Sequence, residues 1–140
     1  MSLVTLDASA TAAWLLPDEA SAATDALYHE AVAVGGRFQA PALWMWESGN
    51  LLRTARLRGR LTPAQLERSI GLLHLARVRL EPAPDEQRVR ATLALASDHD
   101  LSFYDASYLE QALRSSARLA TRDAALARAA VGVGVLCLEL

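Results

Sequence analysis

Short apolar runs alternate along this chain with longer stretches of helical character. Because these runs are brief and contain residues such as Val, Leu and Phe, we interpret them as short strands, the first of them buried. They lie at residues 3–6, 38–40, 78–81, 118–121 and 133–138. Such alternation is typical of α/β proteins, in which crossover helices connect parallel strands. The sequence therefore predicts a central, mostly parallel β-sheet flanked by helices.

The predicted helices are bounded by residues that start or stop a helix. Thr62 and Pro63 form an N-cap and first-turn pair, and Pro41 likewise suits the first turn of a helix. Pro17 stops the first helix, and Gly35 and Gly36 end the second. The predicted helices lie at residues 8–16, 18–34, 42–58, 62–77, 84–97, 103–113 and 122–130. With 140 residues and neither a linker nor a repeat, we expect one domain over residues 1–140.

The composition excludes several classes of site. All fourteen basic residues are arginine, so mechanisms that need a lysine, such as a P-loop nucleotide site or a Schiff base, are excluded. The single cysteine, Cys137, excludes an internal disulfide framework and a cysteine-built zinc site. Three scattered histidines argue against a histidine-rich metal site. Any metal site in this chain is therefore expected to use oxygen ligands.

The charge is distributed unevenly along the chain. Residues 53–80 hold seven arginines and one acid, whereas the segments on either side are acidic and the net charge is −2. The basic segment has two interpretations, a strip that binds a polyanion or the solvated face of a helix pair. The N-terminus lacks a signal-peptide pattern, and no uncharged apolar run approaches the roughly 20 residues of a membrane span. We therefore expect a cytoplasmic protein without a membrane anchor.

Four carboxylates occupy positions where a solvated surface would not place them. Asp7 directly follows the first predicted strand, and Asp123 closely follows the strand at 118–121, so both are expected at one edge of a parallel sheet. Glu47 and Asp105 lie in the most apolar parts of their helices, where a carboxylate is costly unless it is paired or binds a cation. Helix capping for the aspartates and an arginine partner for Glu47 are the structural alternatives. Together the four favour a Mg²⁺ or Mn²⁺ site, because these ions prefer carboxylate oxygens.

Polar residues near these acids are candidates for supporting roles. Ser9 is placed to cap the first helix and orient Asp7, and Thr121 to cap the helix that carries Asp123. Asn50 shares a helix face with Glu47 and could hold its carboxylate or touch a phosphate. Ordinary capping and surface solvation remain open for all three.

Arginines follow Glu47 at the end of the same predicted helix. Arg53, Arg56 and Arg60 share one face by their three- and four-residue spacing, whereas Arg58 points elsewhere. This face is a candidate for contacts with the phosphates of a bound polyanion or with an acidic part of a protein partner, because the guanidinium fork binds phosphate in a bidentate manner. Cations near the negative end of a helix explain the same pattern without a ligand.

Four segments of the chain match, in order and spacing, the motifs of the PIN-domain ribonucleases. They are the hydrophobic-Asp-x-Ser segment at 4–9, the E-x-x-N-x-L helix at 43–52, the Y-D-A-x-Y-L segment at 102–109 and the L-x-T-x-D-x-x-L segment at 119–126. The chain thus resembles PIN domains, in particular toxins of the VapC type, over essentially its whole length. The resemblance implies a PIN-like fold with Asp7, Glu47, Asp105 and Asp123 as metal-binding and catalytic carboxylates.

The resemblance also implies an activity and partners. It suggests a Mg²⁺- or Mn²⁺-dependent endoribonuclease that forms a homodimer and pairs with a cognate antitoxin protein. The small size and lack of an added domain favour the toxin over a PIN-domain nuclease of general RNA processing, which remains the alternative. A non-catalytic RNA-binding module is less favoured, because none of the four acidic positions is lost.

Overall fold

Four short strands form one sheet in the computed structural model, which describes residues 2–33 and 35–140. The strands are β1 (Val4–Leu6), β2 (Phe38–Pro41), β3 (Val78–Glu81) and β4 (Arg118–Ala120). Their order across the sheet is β3-β2-β1-β4, and every neighbouring pair is parallel. Strand β1 is central, and its three residues are fully buried. The predicted parallel sheet is therefore confirmed.

Seven α-helices flank the sheet within the described residues. They are α1 (Ala8–Leu15), α2 (Ala22–Ala33), α3 (Leu43–Leu57), α4 (Pro63–Leu75), α5 (Glu86–His99), α6 (Phe103–Arg114) and α7 (Ala124–Gly132). The chain crosses from β1 to β3 in one direction and returns to β4 in the other, so right-handed crossovers place α1–α4 and α5–α6 on opposite faces. Helix α6 packs against β1, β2 and β4, and α5 and α7 pack against α6. No described helix is long and apolar enough to cross a membrane.

Side-chain caps fix the beginnings of two helices at the carboxyl edge of the sheet. Asp7 caps α1 by accepting the Ala10 N–H at 3.0 Å, and Asp123 caps α7 by accepting the Leu126 N–H at 2.9 Å. Each acid follows a strand and caps the helix that comes next. Its position is therefore set by both elements. Both carboxylates are thereby held beyond the ends of β1 and β4.

The last predicted strand, residues 133–138, is wrong in extent. Only Cys137 forms a bridge to the sheet, next to Leu119 of β4. Gly134 has a φ of +81°, a left-handed conformation that interrupts an extended run. The apolar pattern of this segment reflects packing against the core, which includes buried Val135.

Several predicted helix boundaries also differ from the structure. Residues 17–19 form a separate 3-10 turn, so the second helix begins at Ala22, and Val34 lies outside the described residues. Pro41 is the last residue of β2 and not part of a helical first turn. Helix α5 continues through the expected break at 98–99 and ends where Asp100 adopts a left-handed conformation with a φ of 52°.

Candidate active site

The chain proceeds from β1 to β2 and β3 on one side of the sheet and then returns to β4 on the other side of β1. The strand order therefore reverses between β1 and β4. In open α/β sheets, ligands bind beyond the carboxyl ends of the strands at such a point. Leu6 of β1 is paired with Ala120 of β4, so the residues that follow these two strands leave the sheet side by side. Asp7 comes directly after β1, and Thr121 directly after β4. Two of the predicted site segments therefore meet at the switch point of the sheet.

Two hydroxyl groups hold the buried Asp7 carboxylate. Thr121 Oγ1 donates to Asp7 Oδ2 at 2.5 Å, and Ser9 Oγ donates to Asp7 Oδ1 at 2.7 Å. Each hydroxyl also accepts a backbone N–H from the loop before α7, Thr121 from Asp123 at 3.0 Å and Ser9 from Arg122 at 2.7 Å. Ser9 thus orients Asp7 as expected. Neither hydroxyl caps a helix as predicted, because Asp7 and Asp123 are themselves the caps.

The Thr121 hydroxyl is expected to stabilise the fold through Asp7. Thr121→Val keeps the side-chain shape but removes the donor to a buried carboxylate, so we expect a loss of about 1–3 kcal/mol in the free energy of unfolding. Thr121→Ser keeps the hydroxyl and should lose markedly less. Urea denaturation of both variants measures the difference. Equal stability of the Val and Ser variants would show that the hydrogen bond contributes nothing.

Helix α3 carries Glu47 into the site from the other side. One turn earlier, the buried Trp44 donates its indole N–H to Thr11 Oγ1 of α1 at 2.7 Å, which fixes α3 against α1. Residues three apart share a helix face, so Glu47 points toward the same interior side as Trp44. Its carboxylate accepts a 2.5 Å hydrogen bond from the Tyr108 hydroxyl of α6.

The residues that precede α7 and begin α6 complete the acidic set. Asp105 lies in the first turn of α6, whose N-cap Ser102 accepts the Asp105 N–H at 3.0 Å. Asp123 lies at the start of α7. Tyr108, one turn after Asp105, is a site residue that the sequence reasoning left unassigned. Its position in the Y-D-A-x-Y pattern was an available signal.

The pKa values show that the four carboxylates sense one another. Burial raises the pKa of Asp7, and the Asp123 charge raises it further, although the Thr121, Ala10 and Ser9 hydrogen bonds oppose the shift. Burial likewise raises the pKa of Glu47, with added repulsion from Asp105 and Asp7. Burial and the Asp123 charge raise the pKa of Asp105. Ionisation of Asp7, Glu47 and Asp105 is therefore costly in this environment.

An open groove of about 570 Å³ runs past Glu47. Its lining includes Glu19, Glu47, Asn50, Arg60, Trp46 and Tyr104. Glu19 bridges two arginines, accepting from Arg122 at 2.9 Å and from Arg60 at 2.6 Å. Burial raises the pKa of Glu19, but the two arginines outweigh it and hold that pKa below its usual value. Glu19 and Arg122 were not anticipated from the sequence, because distant segments bring them together.

Comparison with protein families gives a match over residues 4–132 to the PIN domain. The chain is a member of the PIN domain family. A solved structure with the same architecture is the crystal structure of PAE2754 from Pyrobaculum aerophilum, with a TM-score of 0.72 and 26% sequence identity. That alignment covers 97% of this chain and 83% of PAE2754. None of the curated proteins compared with the chain matches it.

Membership of this family indicates a nuclease, and PIN domains generally use divalent metal ions. The donor set of this PIN domain fits such an ion, because it offers carboxylate oxygens with raised pKa values and excludes soft ligands. Among the described ion pairs, none joins an arginine to any of the four acids, so the arginine partner considered for Glu47 is not found. Within residues 2–33 and 35–140, no three acidic, histidine or cysteine side chains stand close enough to hold an ion without rearrangement.

The arginine face predicted at the end of α3 differs in the structure of this PIN domain. Helix α3 ends at Leu57 and Gly59 has a φ of +70°, so Arg60 lies beyond the helix and does not share a face with Arg53 and Arg56. The Arg60 side chain nevertheless lines the groove, where it contacts both Asp18 and Glu19. Asn50 also lines the groove but is exposed, and no hydrogen bond joins it to Glu47 in the described part of the chain.

Proposed function

We propose that this PIN domain is a Mg²⁺- or Mn²⁺-dependent endoribonuclease that acts as the toxin of a toxin–antitoxin pair. The observation that carries the nuclease proposal is that four acids from separate segments lie around the switch point of the sheet, and none of the described ion pairs joins an arginine to any of them. Asp7 and Asp123 also cap helices, but capping does not account for Glu47 and Asp105, and burying their charges is costly unless a cation offsets it.

The proposed ligands are Asp7, Glu47, Asp105 and Asp123. These four side chains would hold a divalent ion, which would supply an activated water and stabilisation of the negative charge on the phosphate and the leaving oxygen. The chain's own contribution is orientation. Ser9 and Thr121 direct the Asp7 oxygens, and the Tyr108 hydroxyl holds the Glu47 carboxylate toward the other acids.

The activity is tested with purified protein and a structured RNA. We expect internal cleavage with Mg²⁺ or Mn²⁺ and none after EDTA is added, with recovery when the metal is restored in excess. Full cleavage in EDTA would contradict the metal mechanism. RNA binding without cleavage under any metal would instead support the non-catalytic RNA-binding module.

The toxin role needs a cellular test. It is supported by the four motifs that resemble those of toxins of the VapC type, and it implies a homodimer and a cognate antitoxin protein. Controlled expression should arrest bacterial growth, and co-expression of a small protein encoded immediately upstream should relieve the arrest. Growth unaffected by an enzyme that cleaves RNA in vitro would favour a nuclease of general RNA processing. Light scattering of the purified chain tests the homodimer.

Arg53 and Arg56 remain candidates for contacts with RNA phosphates, because both are exposed on α3. For Arg53→Ala/Arg56→Ala, each lost phosphate contact should flatten the slope of log affinity against log salt by about 0.7 for single-stranded RNA. Binding is measured in Ca²⁺, chosen to support binding without cleavage. Arg90→Ala on α5, also exposed, is the control and should leave the slope unchanged. An unchanged slope in the double variant would return these arginines to a solvated helix face.

A further inference from the structure

Two aromatic side chains beside the candidate active site are exposed to solvent. Trp46 is 79% exposed and Tyr104 is 60% exposed. The other tryptophans, Trp14 and Trp44, are buried and hydrogen-bonded within the fold. Neither exposed ring is therefore part of the core, and both are accessible to a ligand.

The two rings lie between two neighbouring grooves. Both line the groove of about 570 Å³ that contains Glu47 and Asn50, and both line a second groove of about 260 Å³ beside Pro82 and Phe103. Each ring belongs to the residue immediately before a site carboxylate, Trp46 before Glu47 on α3 and Tyr104 before Asp105 on α6. On a helix, consecutive side chains point about 100° apart, so a ring adjacent to a half-buried acid lies at the rim of the site. The rings thus form one surface that reaches Glu47, which lines the same groove.

We propose that Trp46 and Tyr104 form a stacking surface for the bases of single-stranded RNA next to the scissile phosphate. This inference rests on the proposed function. A strand whose phosphate reaches the carboxylates has its neighbouring bases at the rim, where the two exposed rings lie. Stacking on aromatic side chains is a general mode of single-strand binding and requires no particular base.

The charge of the site favours stacking as a source of affinity. The acids around Glu47 repel a phosphate backbone, and the arginine that lines the same groove, Arg60, already contacts Asp18 and Glu19. Stacking is not opposed by this negative charge. A protein that docked on the same rings would not have to reach the acids, so continuity with the carboxylates favours RNA.

The test compares two single-stranded oligonucleotides of equal length, one normal and one with abasic residues, in Ca²⁺. We expect Trp46→Ala and Tyr104→Ala each to weaken binding of the normal RNA by about 5- to 100-fold. Binding of the abasic RNA should be unchanged, and so should the salt dependence, because no phosphate contact is lost. Trp46→Phe and Tyr104→Phe keep a ring and should retain most of the affinity. In the parent protein, the normal RNA should quench the fluorescence of the exposed Trp46 more than the abasic RNA.

Leu57→Ala is the control, since Leu57 is a 69% exposed apolar residue of α3 that lines neither groove. Equal binding of both oligonucleotides by the parent, or equal weakening of both in Trp46→Ala, would overturn the stacking surface. A loss of self-association in Trp46→Ala with unchanged RNA affinity would make the rings a protein interface and overturn it as well. Metal-dependent cleavage by the parent shows separately that the proposed function holds. A parent that neither cleaves nor binds RNA would refute both.

Discussion

Asp7→Asn should reduce metal-dependent RNA cleavage by at least about a hundredfold while the protein remains folded. Asparagine caps a helix as well as aspartate does, so the start of α1 is preserved. The substitution removes one of the converging negative charges and with it a proposed metal ligand. Cleavage is measured at saturating Mn²⁺, and circular dichroism checks the fold. Activity close to that of the parent would remove Asp7 from the proposed mechanism.

A matched control for Asp7→Asn is available at another helix cap of the chain. Asp85 caps α5 by accepting the Arg88 N–H at 2.9 Å and lies outside the carboxylate site. Asp85→Asn repeats the chemical change at another cap, and we expect full cleavage. Mn²⁺ should raise the melting temperature of the parent and of Asp85→Asn, but that of Asp7→Asn much less, because only a protein that binds the ion is stabilised by it.

The pH dependence of stability in EDTA provides a further check on Asp7. Its pKa in the folded protein is raised above the ordinary value of 3.8, mainly by burial. A group of this kind contributes stability that is fully present below its unfolded pKa and is lost as the pH rises through its folded pKa. The stability of the parent relative to Asp7→Asn should therefore increase as the pH falls from 7 toward 4. A difference that does not change with pH would show that Asp7 carries no such cost.

Glu47→Gln should weaken metal binding by at least about tenfold with little change in metal-free stability. Glutamine keeps the shape and can still accept the Tyr108 hydrogen bond through its Oε1 atom. Had Glu47 been one half of a buried ion pair, its removal would cost about 3–5 kcal/mol, but no arginine pairs with it in the described structure. Calorimetric titration with Mn²⁺, together with thermal melting in EDTA, measures both quantities.

Tyr108→Phe separates the charge of Glu47 from its orientation. This variant keeps the carboxylate and removes only the hydroxyl that holds it, so metal affinity should fall less than in Glu47→Gln. A large loss of metal-free stability in Glu47→Gln, with unchanged affinity for Mn²⁺, would refute the ligand role of Glu47.

Local signals in the sequence are sufficient for most of the fold. The order of strands and helices follows from short apolar runs, from Pro63 after Thr62, and from Gly59 after α3, because these residues act on their own backbone. The failures occur where tertiary packing overrides the local pattern. Residues 133–138 resemble a strand but pair with the sheet at one residue, and Pro41 completes β2 although its type suits a helix start.

The residues of the candidate site likewise fall into two groups, those that local signals could place and those that depend on tertiary packing. Asp7 and Asp123 could be placed together from the sequence, because the carboxyl ends of parallel strands share one edge of a sheet and the structure pairs β1 with β4. The approach of Glu47 and Asp105 could only be inferred from their apolar surroundings and from motif resemblance. The hydrogen bond between Tyr108 and Glu47 depends on how α3 and α6 pack, and no spacing along the chain encodes it.

The sequence by itself determined the residue types, the approximate bounds of most helices and the order of strands and helices along the chain, since these depend on interactions between near neighbours. Only the tertiary structure decided which groups meet across long separations. Arg60 lies off the α3 face and contacts Asp18 and Glu19. Ser9 and Thr121 donate hydrogen bonds to Asp7. Trp46 and Tyr104 are exposed at the rim of the candidate site. Such contacts join segments up to 114 residues apart, and they are settled by packing against the whole core rather than by local preference.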